Sequence, residues 1–317
     1  MKRGVALSRR SSGLYVPAGS GSVTPPPGPA GPNAYNAQGV WVGDQMPGGP
    51  PPGYQTVFAD DFTGPRTGLN RPEYANYLGT YNNSFSGANP DSSWWDGSLV
   101  EVVDGVLRHS QIVRTRAHKD GKVDRRIESG TSTLWGMPPT AFPQVTMLAR
   151  TYGPFALEGI VGTVLMLWPY GDNWPAGTEI DYLEESALGR GRSNFHWGAD
   201  WPNHQQTGFR EWAIPNTGTR TAYNLFAARI LPSGHPSSPF LTEVWCNGVR
   251  VTTWLPPVDF RQTWPMLGIN QTEGYIADNA NPTWLGPTGT QVMDSLEPHG
   301  KQPFFDIKWM RVDKPAA

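Results

Sequence analysis

The sequence holds one cysteine, few lysines and little charge of either sign. A lone Cys246 cannot build an intrachain disulfide framework, so it is read as a small core residue. Charged residues make up 16% of the chain, with net charge −2, which leaves no electrostatic footprint for nucleic acid. Only 6 of the 25 basic residues are lysine. No apolar run reaches the length of about 18 residues that a membrane-spanning helix needs. The six histidines show no HExxH-type spacing. His196, Asp200 and His204 could gather around an ion, but histidines at the rim of a cleft are the plainer reading, and no metal is expected. A secretory leader is not evident either. Lys2, Arg3, Arg9 and Arg10 flank only Gly4 to Ser8, too short for an apolar h-region.

What the chain does have is Gly 37, Pro 32 and Trp 14 in 317 residues. Many turns and large aromatics, without a sustained helical apolar repeat, predict an all-β protein with short strands. Residues 1–52 stand apart. Runs such as Pro25-Pro26-Pro27-Gly28-Pro29 and Gly48-Gly49-Pro50-Pro51-Pro52-Gly53 cannot pair in a sheet and are read as a Pro/Gly-rich arm or linker, either solvated or ordered against a partner. Residues 53–317 form the second unit. Asp104-Gly105 and Asn247-Gly248, between β-prone flanks, predict hairpins. Val145 to Arg150, Gly162 to Trp168 and Phe304 to Val312 read as strands, the second apolar on both faces. Together these predict an antiparallel two-sheet β-sandwich.

The chemistry concentrates between Trp174 and Glu185. Glu179, Asp181, Glu184 and Glu185 lie among Ile180, Tyr182 and Leu183 on one expected strand. Strand side chains alternate, so Glu179 and Asp181 share a face and Glu184 would leave it. A one-residue β-bulge after Asp181 would return Glu184 to that face; without one, Glu185 would take its place. Two carboxyls about 5–5.5 Å apart are the equipment of a retaining glycosidase. Glu179 would be the nucleophile and Glu184 the acid/base. Asp181 between them would hold the nucleophile by hydrogen bonding, and its charge would favour a protonated acid. An exposed acidic strand or a calcium site is the alternative use of such residues.

Glu179-Ile180-Asp181-Tyr182-Leu183-Glu184 resembles the bulged E-x-D-x-x-E signature of glycoside hydrolase family 16, the laminarinase and agarase group with a concanavalin A-like jelly roll. Weaker likenesses follow in order along most of residues 54–313. Val57 to Gly64 resembles the family's opening D-E-F-x-G strand, and Arg126-Ile127-Glu128-Ser129-Gly130 a second-sheet segment. Phe195-His196-Trp197-Gly198 resembles its His-containing strand, and Val244 to Gly248 its W-x-x-D-G hairpin. Thr178 stands where the family commonly has Gly, and Asn247 where it commonly has Asp. The resemblance implies catalytic roles for Glu179, Asp181 and Glu184, an open cleft and endo action. Some relatives carry a structural calcium ion; no other cofactor is implied.

Sugar rings present apolar faces, so aromatic side chains are expected to line such a cleft. Trp174, Trp197, Trp94, Trp95 and Trp168 are the candidates, with His196 touching either the sugar or Asp181. The reading is a retaining endo-β-glycosidase on a β-linked polysaccharide, extracellular or virion-associated, residues 1–52 attaching it to virion structural proteins. The rival is a non-catalytic carbohydrate-binding tail or decoration protein. Transglycosylation would use the same covalent intermediate.

Overall fold

The computed structural model describes residues 31–63, 79–80, 84–85, 93–117, 123–134, 140–152, 163–169, 178–187, 190–198, 204–215, 222–236, 238–255, 263–269, 289–302 and 304–317. In chain order come β1 (Tyr54–Asp60), β2 (Gly79–Thr80), β3 (Ser84–Phe85), β4 (Ser93–Trp95), β5 (Val100–Val103) and β6 (Val106–Ala117). They are followed by β7 (Val123–Ser129), β8 (Thr131–Thr133), β9 (Gln144–Tyr152), β10 (Thr163–Pro169), β11 (Glu179–Ala187) and β12 (Arg190–Gly198). Then come β13 (His204–Ala213), β14 (Asn224–His235), β15 (Ser238–Cys246), β16 (Val249–Trp254) and β17 (Thr263–Ile269). The helix α1 (Gly289–Leu296) precedes β18 (Phe304–Pro315).

Both predicted hairpins form, and for the predicted reason. Asp104 (φ 52°) with Gly105 (φ 73°), and Asn247 (φ 48°) with Gly248 (φ 80°), supply the two left-handed residues that match a turn to strand twist. They join β5 to β6 and β15 to β16. Among the described residues the strands make two sheets. The larger runs β16-β15-β14-β9-β18-β6-β7-β4-β3, with β1 against β18 and β5 against β6. The smaller runs β13-β12-β11-β10-β17-β8-β2. Among the described residues only β4 and β7 pair in parallel; the other pairs are antiparallel.

The predicted sandwich follows from alternation. Phe305, Ile307, Met310 and Val312 of β18 pack across the interior with Leu165 and Leu167 of β10 and with Ile180 and Tyr182 of β11. Cys246 is buried in the same core, as expected, and burial pushes its thiol up. A few polar side chains cross the gap between sheets. His109 Nε2 lies 2.7 Å from Ser132 Oγ, and Thr151 Oγ1 lies 3.4 Å from Thr163 Oγ1. Full burial lowers the His109 pKa to about 3.

The described part of the Pro/Gly-rich segment differs from a free arm. Trp41 packs on Leu148, Leu225 and Trp309, and Val40 on Ala227 and Trp245, on the outer face of the larger sheet. That face carries buried ion pairs, Arg311 with Asp313 at 2.8 Å and Arg229 with Glu243 at 2.6 Å. A guanidinium has five donors, which one carboxylate cannot satisfy. The segment supplies further acceptors through backbone carbonyls. Arg311 donates to Pro47 O at 3.0 Å and Arg229 donates to Gln38 O. Trp309 Nε1 donates to Asp44 O at 2.9 Å. A chain unable to join a ladder keeps its carbonyls available, so the composition that excludes a strand suits a strap. The boundary at 52/53 therefore does not separate arm from sandwich, because residues 31–52 belong to the fold.

Candidate active site

Glu179, Asp181 and Glu184 come together as the bulge requires. On the β12 side, Asp181 is opposite Asn194 and Glu184 is opposite Arg192, so β11 spends one extra residue there. On the β10 side, Asp181 is opposite Met166 and Leu183 is opposite Leu165, with the same excess. Tyr182 and Leu183 are consecutive, yet both face the core at 1% exposure. That break in alternation brings Glu184 back to the face of Glu179 and Asp181, away from the interior. Glu179 and Glu184 are half-buried; Asp181 is buried.

The neighbours on that face follow from register. Glu179 is opposite His196 on β12. His196 Nε2 lies 3.6 Å from Asp181 Oδ2, in ion-pair range when the ring is protonated, and 2.8 Å from Asn194 Nδ2. The contact with Asp181 is one of the two expected for His196. Ligand atoms of Glu179, Asp181 and His196 lie within 4.8 Å of one another, the one group among the described residues where such side chains could hold a cation. On β10, Val164, Met166 and Trp168 form a small apolar cluster on the same face, with Trp168 half-buried. That explains why β10 reads as apolar on both sides, and it leaves Trp168 beside the acids.

Trp197 is a correction. Directly after His196 it must face the other way, and it packs in the core, 5.3 Å from the Trp254 ring. Trp94 and Trp95 lie on β4, in register with Glu128 and Ser129, and their side chains are outside what is described. Trp174 and Asp200 lie outside the described residues. Sequence reasoning missed Asn194 and Arg192. Stepping back by two from His196 would have found both on its face.

Thr178 enters β11 at φ 70°, which accounts for the glycine usual at that point in the family resembled. Asn247 is equally specific. Its Oδ1 accepts from Leu225 N at 2.7 Å while its Nδ2 donates to Asn224 Oδ1 at 2.8 Å, and an ionised Asp could not make the second bond.

No family model and no curated protein matches the chain. Solved structures do. SCLam, a non-specific endo-β-1,3(4)-glucanase from glycoside hydrolase family 16, superposes with TM-score 0.60 at 14% identity, over 84% of this chain and 93% of that one. The laminarinase catalytic domain of Thermotoga maritima gives 0.56 at 14% identity, over 83% and 99%. β-Agarase B of Zobellia galactanivorans gives 0.56 at 14%, over 83% and 93%. The chain therefore has the jelly-roll sandwich of these proteins. No helix among the described residues is long and apolar enough to cross a membrane.

Proposed function

We propose that the protein is an endo-acting retaining β-glycosidase on a β-linked polysaccharide. The bulge carries this reading, because it gathers Glu179, Asp181 and Glu184 on one face instead of scattering them. The fold shared with a glucanase, a laminarinase and an agarase supports it. In the first step a Glu179 oxygen bonds to the anomeric carbon as the glycosidic C–O bond breaks, and Glu184 gives its proton to the leaving oxygen. In the second, water attacks that carbon, Glu184 takes the water proton and the bond to Glu179 breaks. A proton shared between Asp181 and Glu179 orients the nucleophile. Trp168, on the same face, offers an apolar surface to a sugar ring. The setting we propose is extracellular or on a virion. Attachment through the N-terminal segment would fall to residues 1–30, since residues 31–52 cover the chain's own sheet.

Reducing-end release from a panel of β-glucans and galactans tests the assignment. Glu179→Gln and Glu184→Gln should each reduce turnover by on the order of 10³-fold. Proton NMR of the first product should show the β-anomer. Binding without turnover by the wild type would favour a carbohydrate-binding protein instead, and an α-anomer would reject the covalent route.

A further inference from the structure

We propose that Arg192 is a positioning residue that sets the protonation balance of Glu184, with Glu211 as its counterweight. Glu184, Arg192 and Glu211 stand directly opposite one another on β11, β12 and β13. Directly opposed residues share a face, with Cβ atoms roughly 4.5–5.5 Å apart. The three therefore form a rung of alternating charge across the strands that carry the site. Arg192 is only 5% exposed, so it is screened from solvent, and its Nε lies 3.7 Å from Glu211 Oε1. Glu211 is about half exposed.

The rung adds to what the acid strand does alone. Glu184 has Asp181 and Glu179 on its own strand, and the negative charge those two share favours its protonated form. That suits the first step, in which Glu184 is the acid. In the second step the same carboxyl must accept a proton, and the bond to the sugar has by then removed the charge of Glu179. Arg192, as the positive group directly opposite, pulls the balance toward the carboxylate. His196 adds charge only when protonated. Val164, opposite Glu184 on β10, is apolar and adds none. Glu211 takes up part of the Arg192 field, so the balance is adjusted from the exposed edge of the rung. The role in turnover rests on the function proposed above; the electrostatic pairing does not.

Two readouts separate those claims. The Glu184 carboxyl is followed by carbon-13 NMR, assigned by its loss in Glu184→Gln, and kcat/KM is measured against pH. Arg192→Gln should raise the Glu184 titration midpoint by about one pH unit and move the alkaline limb of the kcat/KM profile with it. Glu211→Gln should move both the other way, and Arg192→Lys, which keeps the charge, should stay near wild type. An unmoved midpoint in Arg192→Gln would overturn the inference. So would a shift in Arg192→Lys as large as in Arg192→Gln, which would indicate packing and not charge. If Arg192→Gln fails to fold, the exposed Glu211→Gln decides alone, by the sign of its shift. Midpoints that move as stated in a protein without hydrolytic activity would refute the function and leave the pairing standing.

Discussion

Thr178 is the residue at which backbone conformation and the site meet most tightly. A β-branched side chain at φ 70° is held in the left-handed region at about 1–3 kcal/mol. Its hydroxyl is also buried without a hydrogen-bond partner. Thr178→Gly should therefore raise stability by about 1 kcal/mol in urea unfolding, glycine's own entropy cost offsetting part of the relief. Thr178→Val, which keeps the branch in the same conformation, should recover only the cost of the unpartnered hydroxyl and none of the backbone strain. The acids on this strand were legible because their residue types and order are unusual together. The fate of single aromatics was not. His196 and Trp197 are equally plausible in sequence, and only alternation on β12, once its register is fixed, sends one to the acids and the other to the core.

At the scale of elements, turns and strands were the readable part, since Asp104-Gly105 and Asn247-Gly248 carry their geometry in two residues. The bulge on β11 was expected from the acids it must align, and register on both flanks bears it out. The polar link between β6 and β8 left no signal, because a buried histidine looks like any other in sequence. It has a measurable consequence. His109 stays neutral in the fold down to about pH 3, while in the unfolded chain it takes a proton near its ordinary pKa of 6.5. Between those values the unfolded state binds the extra proton. Its contribution to stability is therefore complete above pH 6.5 and is lost as pH falls, by about 1.4 kcal/mol per unit. Urea unfolding at pH 7, 6 and 5 should show this loss, and His109→Gln should unfold with a shallower pH slope. Parallel slopes would place the acid sensitivity elsewhere.

For the whole molecule, the main surprise is that the outer face of the larger sheet is an interior. Composition described residues 31–52 correctly as unable to form strands, but it could not reveal that aromatic and ion-paired residues hundreds of positions away require a cover. Asp313 shows the requirement, since burial pushes its carboxyl up and Arg311 offsets only part of that effect. Trp41→Ala should lower stability by about 3 kcal/mol in urea unfolding, close to a core truncation. A loss of a few tenths would mean that the strap rests on the sheet without supporting it.

The place of β18 bears on how the protein comes to exist at all. It lies between β9 on one side and β6 and β1 on the other, near the middle of the larger sheet and late in the chain. Early strands must therefore pair with a partner from the far end of the described residues, and a sheet joined through contacts of such long sequence separation is expected to fold slowly.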